Sequence, residues 1–258
     1  MNDKRYFFFD VDGTLTDRAT DRIVPSAKEA LERLEAEGRT VVIATGRAMY
    51  KARPFFEENG FHDMVCNGGN GIIVDDKEVE NSPLDYATAK ALYDQAIEAG
   101  YGVLTAVDDS QKVYARDFTF YDQVGIRKEP TTYIIDEHFD PEDFGTIYKM
   151  YISVPIGEED RLPLLETTGW LRFEKEYAQI QPDDKKGGIL RLLELIDGTP
   201  EQTVVFGDDT NDLVMFDPAF FCVAMGNACD ELKEKADFVA AANVDDGIMK
   251  TCEKFGWI

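Results

Sequence analysis

The segment YFFFDVDGTL, residues 6–15, places two aspartates directly after a short apolar run. A continuous apolar run of this length is typical of a strand that is buried on both faces, as in a parallel sheet. Residues two apart in an extended chain point to the same side, with Cα atoms about 6.5 Å apart. Asp10 and Asp12 could therefore flank one reacting centre, with Asp10 attacking and Asp12 transferring a proton, while Gly13 permits a tight turn. The alternative is an acidic turn after a strand.

The residues that follow predict a βαβαβ unit. Ser26 begins a helix and has Glu29 three positions on, which is the spacing of a capping box. Strands are expected at 40–44 and 64–66, with a second helix between them that ends near residue 60. This order implies parallel strands joined by right-handed crossovers.

The last part of the chain repeats the same alternation of helices and strands. We expect a helix over 186–196 and strands at 203–206, 221–225 and 238–240, with a helix over about 228–236 between the last two strands.

The middle of the chain has a different pattern, with one helix and then alternating, aromatic-rich strands. These elements are expected at 84–99, 112–116, 148–153 and 170–173. We therefore predict an α/β protein with a Rossmann-like parallel-sheet core and an inserted α+β cap domain. The core would comprise residues 1–82 and 182–258, and the cap domain residues 83–181.

Composition restricts the possible partners. The 258 residues include 27 Lys and Arg against 51 Asp and Glu, for a net charge of −24. Such a field repels phosphate backbones, so a nucleic-acid partner is not expected. No apolar run approaches the roughly 20 residues that span a bilayer, and the first apolar run is too short for a signal peptide. We expect a cytoplasmic protein without a membrane partner, a monomer or weak homo-oligomer, whose four cysteines are reduced thiols.

A second acidic segment, 207–212, follows another apolar strand. Catalytic groups gather at the carboxyl ends of strands in open α/β sheets, so Asp208 can meet Asp10. Two carboxylates and a phosphate ester need cations, and a hard divalent cation with oxygen ligands indicates Mg²⁺. Asp212 could bind through water or orient its neighbours, whereas Asp209 and Thr210 are interpreted as helix N-cap residues.

Two further positions could bind phosphate. Thr45 ends the second strand and precedes Gly46, and a hydroxyl with free N–H groups suits phosphate oxygens there. Lys185 and Lys186 compete for a second role, that of an ammonium that neutralises Asp10 and the phosphate. The residues alone leave this choice open.

Taken in order, these segments resemble the haloacid dehalogenase superfamily of hydrolases. The matching segments are DVDGTLT at 10–16, ATGR at 44–47, KG at 186–187 and GDDTND at 207–212. The insertion resembles the type IIB cap of the Cof-like phosphatases by its position, length and α/β alternation.

The resemblance implies a role for each matching residue. Asp10 would be the nucleophile and a Mg²⁺ ligand, Asp12 the general acid/base and a ligand through its backbone carbonyl, and Asp208 the remaining carboxylate ligand. The residues implied to bind the phosphoryl group also include Thr45, Gly46, Arg47, Lys186 and Asn211, with Asn67 near the site. The resemblance favours Lys186 over Lys185, although the loop before it is about one residue short.

The implied function is a Mg²⁺-dependent phosphatase for small phosphorylated metabolites, in particular sugar phosphates, acting through an aspartyl-phosphate on Asp10. Members of the superfamily that attack carbon or pump ions lack an aspartate at the position of Asp12. A phosphotransferase and a non-catalytic sugar-phosphate sensor are the alternatives. In the insertion, Tyr114, Phe118, Phe120 and Tyr121 are interpreted as packing residues. Arg116 or Lys149 could contact a second anionic group, but both are interpreted as solvated strand residues.

Overall fold

Sixteen strands and seven α-helices make up the computed structural model, which describes residues 4–258 apart from the side chain of Phe173. The start of the predicted core segment, residues 1–3, lies outside the described residues. The strands are β1 (Tyr6–Phe9), β2 (Thr16–Asp17), β3 (Arg22–Ile23), β4 (Thr40–Ala44), β5 (Asp63–Cys66), β6 (Gly71–Val74), β7 (Lys77–Asn81), β8 (Val103–Ala106), β9 (Lys112–Ala115), β10 (Thr132–Ile135), β11 (Lys149–Ile152), β12 (Trp170–Glu174), β13 (Tyr177–Ile180), β14 (Thr203–Gly207), β15 (Phe221–Ala224) and β16 (Phe238–Val239).

The helices are shorter on average in the second half of the chain. The α-helices are α1 (Pro25–Ala36), α2 (Met49–Glu58), α3 (Tyr86–Glu98), α4 (Thr119–Val124), α5 (Lys185–Leu195), α6 (Asp230–Lys235) and α7 (Gly247–Phe255). Short 3₁₀ segments lie at Asn67–Gly69, Pro141–Asp143, Glu159–Arg161, Pro163–Thr167, Pro200–Gln202, Thr210–Met215 and Asn243–Asp245. None of the helices in this described part of the chain is long and apolar enough to cross a membrane.

The chain divides into two units. The first comprises the described part of Met1–Arg47 with Ala52–Glu80 and Asp184–Ile258, and the second comprises Ala48–Lys51 with Asn81–Asp183. The first unit is built on an eight-stranded sheet of order β16-β15-β14-β1-β4-β5-β6-β7. The strands from β16 to β5 run parallel, and β6 is antiparallel to β5. The predicted α/β class with a Rossmann-like parallel core is thus confirmed.

Strand β1 lies in the middle of this sheet, and its run of phenylalanines is buried on both faces. Phe8 packs with Val42 and Val205 on one face. On the other, the ring of Phe7 lies 5.1 Å from that of Trp257, measured between centroids, and Phe9 stacks on Phe206 at 4.7 Å. Because both faces are covered, the strand has no alternation of polar and apolar residues.

Helix α1 begins differently from the expectation. The predicted capping box from Ser26 to Glu29 is wrong, because the helix starts at Pro25 and its N-cap residue, Val24, makes no side-chain hydrogen bond. Proline is well suited to the first helical position, where its fixed φ is already helical and its missing N–H is not needed. The helix buries Leu31 and Leu34 as its apolar spacing indicates.

The second unit contains a six-stranded sheet of order β10-β9-β8-β11-β13-β12. Strands β9 and β10 are parallel, while β8, β11, β13 and β12 pair antiparallel, which gives the unit the predicted α+β character. Successive side chains of β11 enter two different clusters. Met150 and Ile152 pack in the cluster that includes α3, and Tyr151 packs on the opposite face with Tyr177.

Four aromatic residues of this unit were predicted to be packing residues, and the structure divides them. Phe120 is buried, and Tyr114 stacks on Phe139 with ring centroids 5.3 Å apart. Phe118 and Tyr121 are exposed, so for these two the prediction is wrong. They lie at the N-terminus and on the outer face of the short helix α4, whereas Phe120 and Val124 pack against the sheet.

Candidate active site

Three strand ends bring the site together. Strand β1 lies between β4 and β14, so the residues after these strands share one edge of the sheet. They are Asp10, Thr45 and Asp208, and all three are buried. The Asp10 backbone N–H donates a hydrogen bond to the Phe206 carbonyl at 3.0 Å, which continues the β1–β14 pairing past the strand.

A buried ammonium holds two carboxylates of this edge. Lys185 Nζ lies 2.8 Å from Asp10 Oδ1 and 2.6 Å from Asp212 Oδ1, and the lysine is 1% exposed. Burial raises the pKa of Asp10 to about 8, and Asp212 adds to this rise, while Lys185 opposes it. Burial alone would lower the pKa of Lys185, but Asp10 and Asp212 raise it above its usual value.

The prediction that Lys186 is the ammonium beside Asp10 is therefore wrong. Lys186 instead pairs with Asp217, at 2.5 Å between Nζ and Oδ2, and both side chains are partly exposed. Helix α5 starts at Lys185, so the two lysines are neighbours in its first turn and point about 100° apart.

The start of α5 is fixed by Asp184. Its side chain caps the helix by accepting a hydrogen bond from the Gly187 N–H at 3.0 Å. Its own N–H donates to the Gly68 carbonyl at 2.7 Å, in the turn that follows β5. A Cβ atom on Gly69 would lie 2.1 Å from the Asp184 carbonyl oxygen, so this close approach requires glycine. The turn and the cap together determine which lysine enters the site.

Both oxygens of Asp208 are engaged. Thr14 Oγ1 donates to Oδ1 at 3.2 Å, while Arg18 and Asn227 donate to Oδ2 at 2.9 and 3.3 Å. Burial and the charge of Asp212 raise the pKa of Asp208 to about 6, although Arg18 and Thr14 counteract the shift.

Asp212 connects Lys185 to the backbone at the end of β14. Its Oδ2 accepts hydrogen bonds from the N–H groups of Asp208 and Asp209 at 2.9 and 3.2 Å. Asp209 is the N-cap of the 3₁₀ segment Thr210–Met215, as predicted, and forms a capping box with Asp212. Thr210 was also predicted as an N-cap residue but is the first residue of the segment. Asn211 is half-buried in the same segment, and its contact with a phosphoryl group remains a prediction.

Asp12 is held in a different environment from Asp10. Its side chain is 52% exposed and forms a two-point ion pair with Arg47, whose Nε donates to Oδ2 at 2.9 Å. Thr45 Oγ1 accepts the Arg47 backbone N–H at 3.2 Å, and the Asn67 N–H donates to the Arg47 carbonyl at 2.7 Å. Thr45, Arg47 and Asn67 thus lie together as the sequence predicts, and Gly46 lies between the first two.

The oxygen atoms at this edge suit a hard divalent cation. Ligand oxygens of Asp10, Asp208 and Asp212 lie within 4.8 Å of one another. One guanidinium nitrogen of Arg18 lies 2.9 Å from Asp208 Oδ2 and 3.4 Å from the Asp12 carbonyl oxygen, so a positive charge already contacts two of the predicted ligands together. An all-oxygen set of this kind is the one that Mg²⁺ prefers, and the residues fit that ion.

A family model described as haloacid dehalogenase-like hydrolase matches residues 7–251. The chain belongs to the haloacid dehalogenase-like hydrolases. Among the relatives of this hydrolase is the pyridoxal phosphate phosphatase YbhA of Escherichia coli (strain K12), which is 29% identical over 95% of this chain and 96% of its own. The 5-amino-6-(5-phospho-D-ribitylamino)uracil phosphatase YwtE of Bacillus subtilis (strain 168) is 27% identical over 93% of each chain.

A solved structure supports the same assignment. BT4131, described as a sugar phosphatase of HAD subclass IIB, is 26% identical with a TM-score of 0.78, over 99% of this chain and 100% of that one. The predicted superfamily and the class of enzyme, a phosphatase-type hydrolase, are confirmed by these matches.

Three site residues of this haloacid dehalogenase-like hydrolase were not predicted from the sequence. Arg18 contacts Asp208, and Asn227 Nδ2 donates to the Gly13 carbonyl at 2.9 Å as well as to Asp208. The Asn243 N–H donates to Asn227 Oδ1 at 3.0 Å. Asn227 follows β15 by three residues, so the rule that located Asp208 after β14 could have found it. Arg18 and Asn243 have no comparable signal.

Proposed function

We propose that the protein is a Mg²⁺-dependent phosphatase of small phosphorylated metabolites, in particular sugar phosphates, with Asp10 as nucleophile and Asp12 as general acid/base. The observation that carries this proposal is the buried ammonium of Lys185 between Asp10 and Asp212, beside Asp208. A cation held against the attacking carboxylate lets a phosphate dianion approach despite a net charge of −24.

In the first step, a carboxylate oxygen of Asp10 attacks phosphorus and the bond from phosphorus to the leaving oxygen breaks. The leaving alkoxide takes a proton from the Asp12 carboxylic acid. In the second step, Asp12 takes a proton from a water molecule, which attacks the phosphorus of the aspartyl-phosphate and releases inorganic phosphate and the free Asp10 carboxylate. The exposed side chain of Asp12 suits exchange with solvent, while the buried Asp10 is protected from it.

The remaining residues hold the phosphoryl group and the ion. Thr45, Gly46, Arg47, Lys185 and Asn211 would bind phosphoryl oxygens, with Lys185 taking the role that the sequence assigned to Lys186. Asp10, Asp208 and the Asp12 carbonyl would bind Mg²⁺, and Asp212 would orient Lys185. The ion, when bound, neutralises charge on the phosphoryl oxygens and favours the ionised form of Asp10.

The substrate class rests on what the relatives are named for. YbhA and YwtE are named for phosphorylated metabolites, and BT4131 is described as a sugar phosphatase. Small phosphomonoesters are the chemistry common to all three.

The proposed reaction is tested by product balance. With Mg²⁺, we expect p-nitrophenyl phosphate and a panel of sugar phosphates to release phosphate and alcohol in equal amounts, and EDTA to abolish the release. Alcohol release in excess of phosphate, with the phosphoryl group found on a second sugar, would instead identify a phosphotransferase. Absence of turnover across the panel, with Mg²⁺ bound, would exclude hydrolysis and favour a sensor.

Replacing Gly13 with alanine should weaken the binding of Mg²⁺. Gly13 has a φ of +95°, and a Cβ atom there would lie 2.3 Å from Asp208 Oδ2. Asp208 would have to move, so we expect about ten-fold weaker Mg²⁺ binding by calorimetry, and a loss of about 1–3 kcal/mol in the free energy of unfolding from backbone strain.

Gly38 is a matched control, because its φ is +74° and no atom lies within 4 Å of the Cβ position. Gly38→Ala should lose stability from strain but keep the Mg²⁺ affinity of the parent. Equal Mg²⁺ affinities for the parent and the Gly13 variant would contradict the ligand role of Asp208.

A further inference from the structure

Lys149 occupies an unusual position on the sheet of the second unit. It is the first residue of β11, and it points to the same face as Tyr151, since residues two apart in a strand share a face. The intervening Met150 packs on the opposite face, in the cluster that includes α3. Lys149 therefore lies over the Tyr151 and Tyr177 cluster, where it is half-buried.

The ammonium of Lys149 makes no hydrogen bond or ion pair with any residue that the structure describes. Glu129, the carboxylate whose charge acts most strongly on Lys149, is already shared by two other cations. Lys51 Nζ lies 2.5 Å from Glu129 Oε1, and an Arg127 nitrogen lies 3.1 Å from Oε2. The carboxylate of Asp109 accepts hydrogen bonds from the Tyr50 N–H and Asn81 Nδ2 at 3.0 and 3.1 Å. The three cations of this cluster, Lys51, Arg127 and Lys149, thus outnumber its two carboxylates, Glu129 and Asp109, and one positive charge is left unbalanced.

Arg127 adds a second, rigidly held positive charge. Its side chain is 2% exposed, and its guanidinium carbon lies 3.5 Å from the centroid of the Tyr151 ring. A hydrogen bond from Arg127 to Thr131 Oγ1 at 3.1 Å fixes the guanidinium further. Its buried Nε has no hydrogen-bond partner within the described range 4–258. Such a group is positioned before any ligand arrives, which lowers the entropic cost of binding.

Burial and the neighbouring charges change the pKa of Lys149. Burial lowers the pKa of Lys149 to about 8, and the charges of Lys51 and Arg127 contribute to the decrease while Glu129 and Asp109 oppose it. A bound anion would remove this penalty, because an opposite charge within about 4–6 Å favours the charged form of an amine.

Two other cations of the same sheet, Arg116 and Lys112, are either paired with a carboxylate or exposed to solvent. Arg116 donates to the Phe139 carbonyl at 2.8 Å and pairs with Asp140 at 2.9 Å, so its charge is already balanced. Lys112 is the first residue of β9, as Lys149 is of β11, but it is exposed to solvent. Of Arg116 and Lys149, the two cations considered from the sequence, only Lys149 retains an unbalanced charge.

We propose that Lys149, flanked by Arg127 and Lys51, forms an anion-binding site that takes a carboxylate or phosphate group. The anion would accept a hydrogen bond from Lys149 Nζ and would lie in the field of the two flanking cations. Two sources have this chemistry, a free anion and an anionic group on a phosphorylated metabolite. The site is inferred from the second unit alone and does not depend on the proposed hydrolysis.

The first experiment measures the site directly. Lysines of the full chain are labelled with acetic anhydride across a pH series, with and without sulfate, and each labelled peptide is quantified by mass spectrometry. Sulfate should slow the labelling of Lys149 at pH 8 by at least about five-fold, since a nearby opposite charge raises the pKa of an amine by about 1–3 units and so lowers the fraction of the reactive neutral form. Lys112 serves as the internal control and should be unaffected. Unchanged labelling of Lys149 in sulfate would overturn the proposal.

The second experiment identifies the source of the anion. Lys149→Met, Lys149→Arg and the control Lys112→Met are compared on phosphoglycolate and on 2-hydroxyethyl phosphate, which carries an uncharged hydroxymethyl group in place of the carboxylate. If the anion belongs to the substrate, Lys149→Met raises KM for phosphoglycolate alone by about ten-fold, and Lys149→Arg restores most of it. If Lys149→Met and the parent have equal KM values for phosphoglycolate, and sulfate slows the labelling of Lys149, the site binds a free anion instead. If neither ester is hydrolysed, the labelling result alone decides the site, and the proposed function is judged separately by turnover across the panel of sugar phosphates.

Discussion

Asp10→Asn is expected to lower kcat for p-nitrophenyl phosphate by about 10⁴-fold or more, the largest loss for any substitution in the site. An amide oxygen is a far weaker nucleophile than a carboxylate, so no aspartyl-phosphate can form, and removal of a nucleophile typically costs several orders of magnitude. Steady-state phosphate release with saturating Mg²⁺ is the measurement. Parent-like turnover by this variant would refute the covalent mechanism.

The same variant should remain folded. Asparagine has the shape of aspartate, and Lys185 keeps its contact with Asp212. One of three neighbouring buried carboxylates is lost, which reduces their mutual repulsion. Thermal unfolding should therefore give a Tm no lower than that of the parent, so that loss of turnover can be assigned to chemistry.

Lys185→Met should have the second-largest effect and should lower both activity and stability. Without the ammonium, Asp10 and Asp212 remain buried with no opposing charge in contact. Breaking a buried ion pair by removing one partner costs about 3–5 kcal/mol, and the phosphate loses a neutralising cation. We expect kcat/KM to fall by about 10³-fold, and urea unfolding to give a free energy lower by about 3 kcal/mol.

Lys186→Met is the matched control for Lys185→Met. Its ion pair with Asp217 is partly exposed, and such pairs contribute about 0–1 kcal/mol. Turnover should stay within about two-fold of the parent, since Lys186 has no contact with Asp10 among the residues described. A large loss in Lys186→Met with little loss in Lys185→Met would reverse the assignment of the two lysines.

The sequence was informative about the core because its strands are short, apolar and followed by polar residues. The same rule, that groups after parallel strands share a sheet edge, identified Asp10, Thr45 and Asp208 without structural data. The capping-box rule failed at the start of α1. The fixed φ of Pro25 determines where this helix begins, and the spacing of Ser26 and Glu29 is not used. The ends of the insertion were expected at residues 83 and 181, whereas the second unit runs from Asn81 to Asp183 and also includes Ala48–Lys51.

The choice between Lys185 and Lys186 required three-dimensional contacts. It depends on the hydrogen bond from the Asp184 N–H to Gly68, a residue more than a hundred positions earlier in the chain. The short loop before the lysines was the only signal, because one missing residue moves the helix start by one position. The ion pair of Lys51 with Glu129 could not be predicted from the sequence either, since the two residues are 78 positions apart in the chain.

The pairing of β1 with β14 also affects when the site can exist during folding. Tyr6 pairs with Thr203, and Phe9 with Phe206, so Asp10 reaches Asp208 only after about two hundred intervening residues have been arranged. Contacts of such sequence separation form late, because loop closure must precede them. A chain emerging from the ribosome therefore lacks a complete site until β14 has been made, and recovery of turnover during refolding reports the pairing of β1 with β14.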